Sequence, residues 1–215
     1  MTDAEILSCI DHTLLKPTVS WREIVKLCGE ALRWRTASVC IPPCYVKAAR
    51  EEFGDKLNIC TVAGFPLGYS IAAAKVLEAQ RAILSGAGEI DMVINIADVK
   101  SGRFDWVEEE IRLLRKACAG HILKVIVETC YLTEEEKIRL CETVTRAGAD
   151  YIKTSTGFGS AGAVLEDIRL FKAHIGPEVK IKAAGGIRTR EDMAAFIEAG
   201  AGRIGTSSAS VLAAK

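Results

Sequence analysis

The stretch "YIKTSTGFG", residues 151–159, starts as a strand and ends as a glycine turn. Tyr151 and Ile152 suit a buried strand, and Gly157 and Gly159 give the backbone freedom of a tight turn into a helix. Lys153 is the anomaly. Taking an ammonium group out of water is costly unless it is paired or loses its charge. The same order of strand, turn and helix recurs on both sides of this stretch. Runs rich in Val, Ile and Thr occupy 9–15, 37–43, 58–64, 89–95, 123–129, 150–156, 180–186 and 203–208.

Between these runs lie segments with helical period and clear boundaries. "TEEEKIRLCETVTRAGA" opens on a threonine cap with acids in its first turn and closes on Gly148. "TREDMAAFIEAGA" repeats that design and ends at Gly200, and "GRFDWVEEEIRLLRKACAG" is a similar piece. Strands alternating with helices imply parallel pairing through right-handed crossovers. Eight such units with no linker, repeat or low-complexity break read as one closed (β/α)8 TIM barrel, α/β in class, with residues 1–215 as a single domain. The competing reading is an open doubly wound sheet. It lacks support, because no glycine fingerprint follows the first strand and the polar strand-end residues are spread over many strands.

The 28 basic and 28 acidic residues leave a formal charge of zero, which argues against nucleic acid or an anionic membrane as partner. No apolar run approaches the roughly 20 residues of a membrane helix. The opening "MTDAEILSCIDH" has neither the basic nor the apolar region of a signal peptide, so a cytoplasmic location is expected. The eight cysteines form no C-x-x-C, and the three histidines have no second ligand at zinc-like spacing. They read as reduced, mostly buried thiols, with no metal site.

Strand side chains alternate between barrel lumen and helix layer. In 89–95 that rule turns Glu89, Asp91, Val93 and Asn95 inward. In 150–156 it turns Tyr151, Lys153 and Ser155 inward, and in 180–186 Lys180, Lys182 and Ala184. Lys124, Ile126, Glu128 and Asp11 follow on their own strands. A single lumen lysine is explained equally well by a structural ion-pair network. Two lysines on adjacent strands, about 4.8 Å apart, say more, because like charges and burial both disfavour double protonation. A neutral, positioned amine is a nucleophile toward carbonyls. A second cluster, "TSTGFG", "AAGGIR" and "GTSS", gathers glycines and hydroxyls after strands six to eight, where such barrels hold phosphate; Ser207 and Ser208 would cap the final helix.

Taken together, "IDHTLLKP", "VCIPP", "VAGFPLG", "EIDMVIN", "KVIVET", "YIKTSTGF", "KAAGGIRT" and "GTSS" resemble the 2-deoxyribose-5-phosphate aldolases over residues 10–210. The resemblance implies a metal-independent class I aldolase without cofactor, joining acetaldehyde and glyceraldehyde 3-phosphate reversibly. It implies Lys153 as the Schiff-base lysine, Lys182 as its partner and pKa perturber, and Asp91 as proton donor and acceptor. Asp11 would support the lysine cluster. Gly157, Gly185, Gly186, Gly205, Ser207 and Ser208 would bind the phosphosugar, and Cys40 would border the pocket or simply fill the core. Relatives are often dimers or tetramers, so a homo-oligomer is expected. Some members carry a C-terminal tail whose tyrosine reaches the site. The sequence ends "SVLAAK", with no tyrosine after Tyr151; if such a tail aids proton transfer in those members, slower turnover or transfer through water is the expectation here. Three alternatives remain at this point: a phosphosugar isomerase centred on Glu128, another lysine-dependent aldolase on the same barrel, and a non-catalytic sensor of phosphate ligands.

Overall fold

A parallel strand can follow another only if the connection carries the chain back to the same end of the sheet. In the computed structural model, which describes residues 1–213, eight strands satisfy this and close on one another. They are β1 (Ile10–Thr13), β2 (Ser38–Cys40), β3 (Ile59–Ala63), β4 (Glu89–Val93), β5 (Ile122–Ile126), β6 (Tyr151–Lys153), β7 (Lys180–Ala184) and β8 (Arg203–Thr206). All pairs are parallel in chain order, and β8 returns to β1 with Ile10 opposite Ile204. The connecting helices are α2 (Trp21–Trp34), α3 (Val46–Phe53), α4 (Ala72–Leu84), α6 (Phe104–Ala117), α7 (Glu134–Ala147), α8 (Leu165–His174) and α9 (Arg190–Ala199). Three further helices are short: α1 (Asp3–Leu7), α5 (Ile96–Lys100) and α10 (Ser210–Ala213).

The helix boundaries follow local chemistry. Thr133 accepts from Glu136 N–H while Glu136 reaches back to Thr133 N–H, and α7 ends on Gly148 at φ 77°. Thr189 and Asp192 repeat the reciprocal cap on α9. The main core lies between barrel and helices, where Ile90, Met92, Val125, Ile152 and Ile181 meet Ile111, Leu114, Val144 and Phe171. These are the strand residues that alternation assigns to the helix side.

All eight ladders stop before the apolar runs do, and the residues beyond them depart from strand alternation. Asn95 does not face the lumen: its side chain accepts from Ala97 N–H and caps α5. Lys180, the first residue of β7, is exposed at the opposite rim, 5.9 Å from the Tyr151 ring. Ser207 and Ser208 do not cap the last helix, since α10 starts at Ser210, too far along the chain for either serine to be its cap. The helix-period and strand-period rules hold inside elements and fail at their ends.

Candidate active site

Four adjacent strands from β4 to β7, together with β1 and β8, send charged side chains to one level of the lumen. The register places Asp91 opposite Lys124 and Lys153 opposite Lys182. Asp91 is the hub: Oδ2 accepts from Lys153 Nζ and Lys182 Nζ, both at 2.7 Å, and Oδ1 accepts from Lys124 Nζ at 2.8 Å and Cys60 Sγ at 3.2 Å. Lys182 Nζ also donates to Asp11 Oδ2 at 2.5 Å. Lys124 Nζ lies 2.5 Å from Glu89 Oε2, and Arg203 Nη1 lies 2.5 Å from Asp11 Oδ1 and 3.2 Å from Glu89 Oε2. Ser38 Oγ and Asn58 Nδ2 complete the shells of Asp11 and Glu89, each at 2.7 Å. Four cations thus face three carboxylates in a space closed to water.

The protonation of the interior members follows from this geometry. Burial alone would raise the Asp91 carboxyl, but Lys124, Lys153 and Lys182 outweigh it and hold Asp91 well below the usual carboxylate range. Burial likewise opposes ionisation of Asp11, and Lys182, Lys124 and Arg203 overcome it, so Asp11 also sits low. Burial would lower Lys182, yet the Asp11 and Asp91 carboxylates raise it well above an ordinary lysine. Lys124 is raised in the same way, chiefly by Asp91. Lys182 is therefore a fixed cation rather than a neutral amine.

Above this cluster a cleft of about 360 Å³ opens at the carboxyl ends of the strands. Lys153 lines it and Lys182 does not, which separates the two lysines functionally. Gly157, Gly185, Gly186, Gly205 and Ser207 are in its wall, as the sequence suggested. Gly157 and Gly186 have φ of 86° and 78°, and a Cβ on either would project into open space. Gly205 has a further reason to be glycine: a Cβ there would stand 3.2 Å from Lys182 Cε, in the path of the lysine stem. Two expected residues are not in the wall. Ser208 is half-buried, its N–H donating to Thr206 Oγ1 at 2.9 Å. Cys40 is fully buried below, packed with Cys60, Val62, Leu15 and Phe65.

Sequence reasoning missed several wall residues. Lys16 and Arg188 are exposed cations at the mouth, and Thr13, Thr156 and Phe158 complete the sides. Arg203 was also missed, although a basic residue at the start of the inward series Arg203, Gly205 was a readable signal. Glu128, the base an isomerase would need, has both oxygens taken by Thr156. As for metals, Cys40, Cys60 and Asp91 have ligand atoms within 4.8 Å of one another, as do Asp11, Cys60 and Glu89. Ammonium groups already occupy the carboxylate lone pairs of both sets, so positive charge stands where a cation would bind.

A closed (β/α)8 barrel with a charged lumen and a cleft at the carboxyl ends of its strands is an enzyme scaffold. The model of the DeoC/LacD family aldolases matches residues 6–211. A curated deoxyribose-phosphate aldolase from Clostridium botulinum (strain Alaska E43) is 61% identical over 209 residues, covering 97% of this chain and 95% of the relative. One from Clostridioides difficile is 57% identical over 203 residues, covering 94% and 93%. The tetrameric deoxyribose phosphate aldolase of Aeropyrum pernix superposes with a TM-score of 0.90 at 32% identity, covering 99% of this chain and 92% of that one. The chain belongs to the DeoC/LacD aldolase family, and is thus a lyase. No helix among the described residues is long and apolar enough to cross a membrane.

Proposed function

We propose that this chain is a class I deoxyribose-phosphate aldolase. It cleaves 2-deoxy-D-ribose 5-phosphate reversibly to acetaldehyde and D-glyceraldehyde 3-phosphate through a Schiff base on Lys153. The observation that carries this reading is that Lys153 is the one lysine of the cluster that lines the cleft, while its Nζ shares Asp91 Oδ2 with Lys182. With four cations against three carboxylates, the cluster is balanced when one amine is neutral. Lys124 and Lys182 are held as cations and Arg203 stays charged, so the amine free to be neutral is that of Lys153.

The neutral amine adds to the open-chain carbonyl carbon C1, and loss of water gives a protonated imine. That imine accepts the electron pair of the breaking C2–C3 bond as the C3 hydroxyl gives up its proton, releasing glyceraldehyde 3-phosphate and leaving an enamine. Protonation at C2 and hydrolysis return acetaldehyde and the free amine. Asp91, between the two lysine nitrogens, relays these protons with an ordered water, and Lys182 keeps Lys153 from holding its own. Asp11 anchors Lys182. The glycine turns at Gly157, Gly185 and Gly186, with Gly205 and Ser207, receive the 5-phosphate, and Lys16 and Arg188 add charge at the mouth. The chemistry needs neither metal nor cofactor.

We place the enzyme in the cytoplasm as one catalytic domain in a homo-oligomer. Eight cysteines, five of them buried within packed layers, suit a reducing compartment, and the Aeropyrum relative is a tetramer. The test is borohydride reduction in the presence of deoxyribose 5-phosphate, followed by peptide mapping. One adduct on Lys153 is expected, and Lys153→Ala should abolish both adduct and cleavage while the fold persists. An adduct on Lys182 would overturn the assignment.

A further inference from the structure

Past the end of β5 the ladder to β6 gains a residue. Val127 N–H donates to Lys153 O at 3.0 Å, but Thr129 N–H donates to Thr154 O at 2.9 Å rather than to the carbonyl of Ser155. Two steps on one strand match one on the other, so Glu128 is the extra residue of a bulge, a device that re-aims a side chain. Its φ and ψ are 55° and 68°, the left-handed region that is strained for a non-glycine residue. Of the described non-glycine residues only Arg35 shares a positive φ, at the end of α2; Glu128 is buried.

This conformation brings the carboxylate onto the loop that follows Lys153. Thr156 N–H donates to both Glu128 oxygens at 3.2 Å, and Thr156 Oγ1 donates to Oε2. Phe158 N–H in turn donates to Thr156 Oγ1 at 3.0 Å. The loop runs so close that a Cβ on Gly159 would lie 3.1 Å from Glu128 Oε1. A carboxylate can only accept, so the Thr156 hydroxyl proton is committed to Glu128. One lone pair of Oγ1 receives Phe158, and what remains is a single acceptor site on a residue that lines the cleft between Lys153 and Gly157.

We infer that Glu128 is a positioning residue that locks the Thr156 hydroxyl as a hydrogen-bond acceptor, so that the cleft selects a phosphosugar chain whose carbon between the bond being broken and the phosphate carries a hydroxyl donor. The inference rests on the aldolase reading above. That carbon is C4 of the pentose, and in the synthesis direction it is the hydroxyl-bearing carbon of glyceraldehyde 3-phosphate. Burial pushes the Glu128 carboxyl above its ordinary range, against the bonds from Thr156. Lys153 from β6 and, on its own loop, Cys130 and Tyr131 are the titratable groups facing it; Pro66, Leu67 and Ile96 from the neighbouring loops carry no charge. As pH falls the carboxyl gains a proton, can donate to Oγ1, and releases the hydroxyl from its fixed direction.

The experiment compares kcat/KM in the synthesis direction for glyceraldehyde 3-phosphate and for 3-phosphopropanal, the same acceptor without its hydroxyl. Misplacement of the loop affects both acceptors alike, so their ratio isolates the hydrogen bond. In Glu128→Gln, whose amide can donate to Oγ1, the preference for the hydroxylated acceptor should fall about 3- to 10-fold, the range of one neutral hydrogen bond. Thr156→Val should lower it equally, the double variant no further, and Thr156→Ser should restore it. The wild-type preference should weaken toward acid pH while that of Glu128→Gln stays flat. Borohydride trapping at Lys153 is run on every variant. Trapping with an unchanged acceptor ratio in Glu128→Gln overturns this inference alone, whereas no trapping in the wild type overturns the aldolase reading.

Discussion

Replacing Lys182 by methionine removes one positive charge and keeps an unbranched stem in the space that Gly205 leaves open. Lys153 Nζ and Lys182 Nζ each lie 2.7 Å from Asp91 Oδ2, so twice that distance, about 5.4 Å, is the most they can be apart. At an effective dielectric near 20, like charges at that separation repel by roughly 3 kcal/mol. About 1.4 kcal/mol corresponds to one pH unit, so before relaxation the effect on the trapping midpoint is at least about two units. Asp11, released from Lys182, keeps Arg203, and local relaxation absorbs part of the change; a rise of about one to two units is expected. The charge count points the same way. Without Lys182, three cations face three carboxylates, and the cluster is balanced with Lys153 charged.

The assay is the yield of borohydride-trapped acetaldehyde as a function of pH across the neutral and alkaline range. Lys182→Met should be poorly trapped and nearly inactive at neutral pH and should recover as pH rises. Lys182→Arg keeps the charge, so its trapping midpoint should stay near that of the wild type while turnover falls because the planar fork does not fit between Asp11 and Asp91. A Lys182→Met midpoint equal to the wild type would refute the electrostatic role. Recovery of trapping at high pH without recovery of turnover would assign Lys182 to proton delivery instead.

The phosphate loops predict that free deoxyribose reacts far more slowly than its 5-phosphate, because each charge-assisted hydrogen bond contributes about 1.5–3 kcal/mol; equal kcat/KM for the two sugars would eliminate the phosphate site. Gly186→Val should raise KM for the phosphorylated sugar alone, since Gly186 sits at φ 78° and its Cβ would enter the cleft. Acid should unfold the protein through the lumen: Asp11 and Asp91 have depressed carboxyls in the fold, so their stabilisation is complete above the ordinary carboxylate value of about 3.9 and is lost as pH falls below it toward the folded values. Urea midpoints measured down that range should fall less steeply in Asp11→Asn, by one proton's worth of slope, and an identical slope would remove Asp11 from the account.

Much of this was readable in the chain, for reasons that also mark where reading stops. Ile90, Met92 and Ile152 declare the helix side of their strands by alternation, so Asp91 and Lys153 follow as lumen residues, and the adjacency of Lys153 and Lys182 is set by register. Thr133 and Gly148 announce α7 because capping is local chemistry. Asn95 and Glu128 defeat the same rule, since alternation says nothing about where a ladder ends. Nothing in "VETCY" marks Glu128 as left-handed; glutamate has no preference for that region, and the conformation is imposed by Thr156, far along the chain. The state of Lys182 was legible only in part. Its neighbour Lys153 argued for loss of a proton, whereas Asp11, more than a hundred residues away in sequence, argues for keeping it, and the shorter contact decides.

The division of labour between the two lysines follows from depth rather than from residue type. Both are lysines at paired positions on adjacent parallel strands, and both touch the same carboxylate oxygen. Lys182 has a second carboxylate, Asp11, supplied by β1 and held there by Ser38 and Arg203 from the strands on either side. Among the described residues Lys153 makes its ion pair with Asp91 alone, and it lines the cleft. A barrel closed by β8 returning to β1 brings Asp11 to Lys182, and an open sheet would leave β1 and β7 apart. Closure of the barrel therefore does more than seal the core: it supplies the carboxylate that fixes one lysine as a cation and leaves the other as the amine that can attack.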